Sequence, residues 1–259
     1  MRTVTKWTDC ARRVAGSLCV RTSETVCSIC DAEKNLSAIG DQFDSGECDR
    51  LDASAYSVMD MVALSWARLG WGRFLQGDNL AASQFLDAAW QLSHSGTVAN
   101  RLARVYEKTG ARDRAQHMYA LAAVAGGIAA QNSREQVIKM NPATADKALA
   151  LANSELQKMR AIGLPTLSAK TSAARFILMF DNSSSADRVQ FLDGDEALQN
   201  QTDALQKADF SIKFPDVSSI RIILVGAVSC ASSGCRFEIQ PLNSMQQGGV
   251  PQLAGTRNQ

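Results

Sequence analysis

The chain has 259 residues, room for one large domain or two ordinary ones. Its 27 basic and 26 acidic residues leave a net charge of +1, which excludes the basic footprint of a nucleic-acid binder and any electrostatic hold on an anionic membrane. The longest apolar stretches, Ala120 to Ala130 and Ile220 to Val228, fall well short of the ~20 residues a bilayer requires, so no membrane insertion is expected.

Residues 1–54 form a poorly defined N-terminal segment. Ala32 to Ile39 is compatible with a short helix that Gly40 ends, and Asp41 to Asp52 is polar and loop-like. Arg2 and Lys6 are not followed by a sustained apolar run, because Asp9, Arg12 and Arg13 interrupt it, so no signal peptide is expected. Five of the seven cysteines fall here: Cys10, Cys19, Cys27, Cys30 and Cys48. Cys27 and Cys30 have the spacing of half a zinc site or of a redox pair, or are two incidental thiols. No second Cys-x2-Cys follows to complete a four-ligand set, so neither metal nor cofactor is expected.

Residues 55–163 form a domain of helical repeats with a capping helix: from Ser54 to Ala161 the pattern is helical throughout, with apolar residues recurring at three- and four-residue steps. The breaks fall at Gly77 to Asn79, Ser93 to Gly96, Gly110, Gly126-Gly127 and Asn141-Pro142. Asn141 is placed to cap a helix running from Pro142 to Ala161, which Gly163-Leu164-Pro165 ends.

From Ala173 the period changes. Arg175 to Phe180 and Val189 to Leu192 read as strands on either side of a turn at Asp181 to Ser185. Asp195 to Lys207 reads as an amphipathic helix, and Ser219 to Ser229 and Arg236 to Pro241 as two further strands. Residues 172–242 therefore make a small α+β domain with an antiparallel sheet, and residues 243–259 read as a disordered tail.

The helical half repeats itself. Leu69 matches Leu102, Gly70 matches Ala103, Gly77 matches Gly110, Ala82 matches Ala115, Leu86 matches Tyr119 and Ala89 matches Ala122, all at an offset of 33 residues. A fixed period of this size signals stacked supersecondary units. Trp66, Leu69 and Gly70 carry Trp-x2-Leu-Gly spacing, Ala82-x3-Leu86 and Ala115-x3-Tyr119 fill a second-helix pattern, and Tyr106 supplies a first-helix aromatic. In these residues the chain resembles the tetratricopeptide repeat. It departs from that pattern at Arg73, where an aromatic is usual, and at His94, where a proline is usual; the period is also one residue short, with the deletion placed in the Ser93 to Thr97 turn. An ordinary antiparallel bundle is the alternative. Two copies need neighbours to cover them, and a helix before Trp66 and the helix from Pro142 are expected to cap the stack.

The resemblance implies a mainly α fold, an α-solenoid followed by the α+β domain, that binds a protein or peptide partner on the concave face of its first helices. In the second copy that face carries Thr97, Asn100, Arg104, Glu107 and Lys108; in the first it carries Leu64, Ala67, Trp71, Phe74 and Leu75. Asn100, Arg104 and Lys108 lie four apart and form one stripe. Asn can bond a peptide backbone, and Arg and Lys can hold a carboxylate, so a half-apolar, half-basic groove fits a peptide with an acidic end. Alternatively, the N-terminal helix covers Trp71 and Phe74 and the stripe is merely solvated.

The order Arg175 to Phe180, Val189 to Asp193, a helix with Ala197, Leu198 and Leu205, then Phe210 to Pro215 and Arg221 to Val228, resembles the C-terminal domain of TonB-type proteins. Such domains bind by adding a strand to a sheet edge. Cys230 and Cys235 flank a four-residue turn and can face each other across a hairpin, either as a disulfide or as two thiols. A disulfide here would imply an oxidising compartment. From Leu69-Gly-Trp71, Ala88 to Ser93, Val105 to Gly110 and Gly194-Asp-Glu196, the whole arrangement resembles the C-terminal part of bacterial proteins in which tetratricopeptide repeats follow an extracytoplasmic transglutaminase-like region. The catalytic region of that family has no counterpart here, which makes a non-catalytic C-terminal part of a larger exported protein, periplasmic or extracellular, the alternative to a free-standing adaptor. His94 and His117 accompany no nucleophile motif, Gly70-Trp-Gly72 falls inside a helix, and Asp193, Asp195 and Glu196 read as helix N-terminal charges. No catalytic residue is expected.

Overall fold

The computed structural model describes residues 53–165, 167, 170–217 and 220–240. The expectations for Ala32 to Ile39, for the cysteines up to Cys48 and for the tail from residue 243 lie outside these residues.

Six helices come first: α1 (Ala53–Leu75), α2 (Asn79–Ser93), α3 (Gly96–Lys108), α4 (Arg112–Ala125), α5 (Ala130–Met140) and α6 (Ala145–Arg160). The turns fall where the sequence breaks its period. Gly77 and Gly110, the matched glycines of the two copies, both take positive φ, +85° and +78°, a conformation that ends a helix cheaply only without a side chain. Asp78 then starts α2 by accepting the Ala81 N–H at 3.1 Å. Such short turns make successive helices antiparallel neighbours.

Packing follows chain order: α1 on α2, α2 on α3, α3 on α4, and α4 on both α5 and α6, with lighter contacts of α1 with α3 and of α3 with α5. The repeat signature sits at the crossings. A Cβ on Gly70 would lie 2.8 Å from Leu86 Cγ and 3.1 Å from the Ala82 carbonyl oxygen, so a small residue is required where α1 meets α2. Trp66, Leu86, Leu102 and Leu121 fill the space around such crossings and are fully buried.

A five-stranded antiparallel sheet follows: β1 (Ala161–Leu164), β2 (Ser172–Phe180), β3 (Arg188–Gly194), β4 (Ile222–Ala231) and β5 (Gly234–Ile239), in the order β1-β5-β4-β2-β3. A 3₁₀ turn (Glu196–Gln201) and α7 (Thr202–Gln206) connect β3 to β4. Phe210 packs edge-on against Phe180 and Phe237 on one sheet face, at 5.2 and 5.3 Å. The other face also buries Ile177, Met179, Ile223 and Val225, and α1 packs against β4. Helices and sheet therefore share one hydrophobic core.

Four expectations are corrected. The sheet has five strands because Ala161–Leu164, read as the end of a helix, pairs with β5. A four-residue strand is too short to show a period, and only its partner specifies it. The helix expected over Asp195 to Lys207 is a 3₁₀ turn followed by one short α-helical turn. Trp66 has no separate helix before it among the described residues, since α1 is continuous from Ala53. Finally, the Asn141 side chain makes no cap bond, because a 3₁₀ turn over Pro142–Thr144 intervenes before α6.

Candidate functional site

The expected binding residues converge in part. Trp71 and Phe74, one turn apart on α1, stack with ring centroids 5.0 Å apart at 27°. From α3, the Arg104 guanidinium carbon lies 4.8 Å from the Trp71 ring centroid and that of Arg101 5.3 Å. Both are cation–π distances. Trp71 and Phe74 are half-buried, Arg104 and Lys108 exposed, and Leu75, one turn beyond Trp71, is 70% exposed. Among the described residues neither Arg101 nor Arg104 is ion-paired. Burial pushes the Arg101 pKa down, and the positive charges of Arg68 and Arg104 push it further. An aromatic pair roofed by guanidiniums that no carboxylate pairs among the described residues can take an apolar side chain and an anion side by side.

Asn100 and Glu107 are engaged within the fold instead. Asn100 Nδ2 donates to Ser133 Oγ at 2.8 Å, tying α3 to α5. Glu107 accepts the Tyr119 hydroxyl at 2.8 Å, tying α3 to α4; burial, and then this carboxylate, raise the Tyr119 pKa. Of the other concave-face residues, Ala67 is buried, and Thr97 and Leu64 are half-buried. Sequence reading passed over Arg101. The signal was its place three residues before Arg104, within reach of the same face.

The remaining candidates serve structure. Asp193 forms a two-pronged pair with Arg175, with Arg175 Nε donating at 2.8 Å, rather than charging a helix start. Asp195 accepts the Ala197 N–H at 2.9 Å, and His117 Nε2 lies 3.3 Å from Glu155 on the surface. Cys230 and Cys235 are directly opposed in the β4–β5 hairpin and joined by a disulfide, with Cα atoms 4.0 Å apart. Closing so short a loop stabilises by about 2 kcal/mol. Reduction is therefore expected to lower the urea midpoint of the native chain and to leave a Cys230→Ser, Cys235→Ser variant unmoved; equal shifts in both would place the effect at other cysteines.

Among the described residues no three metal-ligating side chains come together, and no helix is long and apolar enough to cross a membrane. The geometry defines a class, a mixed α+β fold in which successive packed helices run into a five-stranded antiparallel sheet. No family model matches the chain, and no curated protein or solved structure matches it.

Proposed function

We propose that the protein is a tetratricopeptide-type scaffold that works by binding, not catalysis, and that it captures a protein or peptide partner on the face shared by α1 and α3. The observation that carries this reading is the stack of Trp71 and Phe74 under Arg101 and Arg104. A half-exposed tryptophan with guanidiniums is the composition of a binding hot spot. The repeat spacing and the close crossing at Gly70 support the tetratricopeptide assignment. The basic residues of this face, Arg104 and Lys108, favour a partner segment with an acidic end.

The test is a selection of random displayed peptides on the full chain, followed by affinity measurement. Arg104→Glu with Lys108→Glu is expected to weaken the selected peptides about tenfold or more, while the melting temperature holds, since both side chains are exposed. Peptides that bind wild type and double variant equally would remove this face from consideration.

A second reading is favoured by the Cys230–Cys235 disulfide, a bond that persists in oxidising compartments. Under it, the chain is the non-catalytic C-terminal part of a larger exported protein with a transglutaminase- or protease-like region. The small sheet domain, TonB-like in its element order, would supply a further docking surface.

A further inference from the structure

We propose that the outer edge of β1 is a docking site for an extended, acidic segment of a partner protein, taken up as a sixth strand of the sheet.

The hairpin register fixes which backbone groups face outward. Ser232 and Ser233 form a two-residue loop between Ala231 and Gly234, which are paired, so Ala231 and Gly234 are the hydrogen-bonded pair that closes it. Alternation makes Ala227↔Glu238 hydrogen-bonded too, and Gln240 N donating to the Val225 carbonyl at 2.7 Å keeps the same parity. Cys235 and Phe237 therefore turn their backbone groups away from β4, toward their β1 partners Leu164 and Ile162. Ala161 and Gly163 must then point theirs outward. The Ala161 N–H is used, capping α6 at the Gln157 carbonyl. What remains is an acceptor, a donor and an acceptor in a row: the Ala161 carbonyl, the Gly163 N–H and the Gly163 carbonyl. Only another main chain offers the complementary series.

The two sheet edges are treated differently. On β3, Asp193 pairs with Arg175 and Arg188 with Asp187, and Leu192 is an extra residue that bulges the strand between the partners of Arg175 and Phe176. Charges and bulges are the devices that keep an edge from pairing. β1 reads Ala-Ile-Gly-Leu, with neither, and pairs only with β5 among the described residues. Gly163 is exposed, and nothing lies within 4 Å of a Cβ built on it, so the sheet face over this edge is also open.

A cleft of about 720 Å³ runs beside this edge, between α6 and the β4–β5 hairpin, lined among others by Ser154, Lys158, Gly163, Ser233 and Arg236. Both charged lining residues are basic, although Arg236 Nε also lies 3.3 Å from Glu238. That sets the preference for an acidic strand. Pro165 lacks an N–H and closes the edge after Leu164. Four residues of edge bury far less than the ~1,200 Å² of a stable dimer interface, so a short partner segment is the occupant rather than a second copy of this chain.

The probe is a fluorescein-labelled hexapeptide alternating valine and glutamate, titrated into the full ¹⁵N-labelled chain. Saturable binding is expected, with the Gly163 amide shifting and gaining protection from exchange. Affinity should fall about tenfold or more for the same peptide N-methylated along one edge and for the valine–lysine peptide. Gly163→Pro, which deletes the donor, should match that loss; the N-methylated peptide keeps the test decisive if the variant misfolds. Equal affinity of the N-methylated or lysine peptide, shifts on α1 and α3 with Gly163 unmoved, self-association in place of peptide binding, or no binding up to ~1 mM would each overturn the proposal.

Discussion

Replacing Gly96 by alanine is expected to destabilise the protein by about 3 kcal/mol. Gly96 is the first residue of α3, where the chain re-enters the stack after the shortened turn. A Cβ there would lie 2.2 Å from the Gly126 carbonyl oxygen and 2.9 Å from that of Ala122, at the end of α4. Both atoms are backbone, so neither can rotate away, and α3 and α4 would have to separate. Alanine favours helix over glycine by up to ~1 kcal/mol, which is too little to offset that clash at a helix start. Gly72 is the control. It lies inside α1 with nothing within 4 Å of a built Cβ, so Gly72→Ala should be neutral or stabilising by up to ~1 kcal/mol. Urea unfolding of the two variants beside wild type decides the matter. A Gly96→Ala protein as stable as wild type would mean that α3 and α4 do not approach as described.

Acidification through the range between pH 6.5 and 4 is expected to cost about 3 kcal/mol at His94 alone. His94 occupies the turn between α2 and α3 in the left-handed conformation, φ 44°. Its ring lies 5.4 Å from that of Trp90, and its carbonyl accepts Arg160 Nη2 at 2.9 Å from the end of α6. Burial, and then the Arg160 charge, lower its pKa from 6.5 to about 4. The sign follows from that depression. Above pH 6.5 the ring is neutral in both states and stability is complete. Below 6.5 the unfolded chain binds a proton that the fold refuses, and stability falls until the folded pKa is passed. Asp87 acts in the opposite sense, since burial raises its pKa against the opposing Gln91 hydrogen bond. The informative quantity is therefore the difference between wild type and His94→Asn. Asparagine tolerates the left-handed turn, and the bond from Arg160 goes to the main chain, so the variant keeps both. Unfolding free energies at pH 7.5 and pH 4.5 should diverge for wild type and converge for the variant. Parallel pH profiles would show that the ring is solvated.

Sequence periodicity carried the helical half. Glycines at matched offsets marked the turns, and the small residues Gly70 and Ala82 marked the crossing of α1 with α2, because close helix contact and positive φ each restrict the residue locally. Cys230 and Cys235 were legible as a facing pair because a short turn fixes their distance whatever surrounds them. Trp71 and Phe74 were legible as neighbours because helical spacing sets them one turn apart, and Arg104 as their companion because the 33-residue offset gives it the position of Trp71 in the second copy.

The rest needed the tertiary structure. Asn100 and Glu107 lie on the expected stripe, yet Ser133 and Tyr119 take their polar groups, and those partners come from helices that no spacing on α3 can reveal. Arg101 joins the site only because α1 and α3 bring it to Trp71. Burial sets the titration of His94, while its own sequence shows only a turn. β1 is the clearest case. Four residues that look like a helix terminator become a strand because β5 lies alongside, and β5 is placed by its hairpin with β4 some seventy residues later. The sequence by itself determined what each segment can form alone: the helices, the turns, the hairpin and their facing positions. Long-range pairing and burial, which depend on residues distant in the chain, decided which of those surfaces stay open.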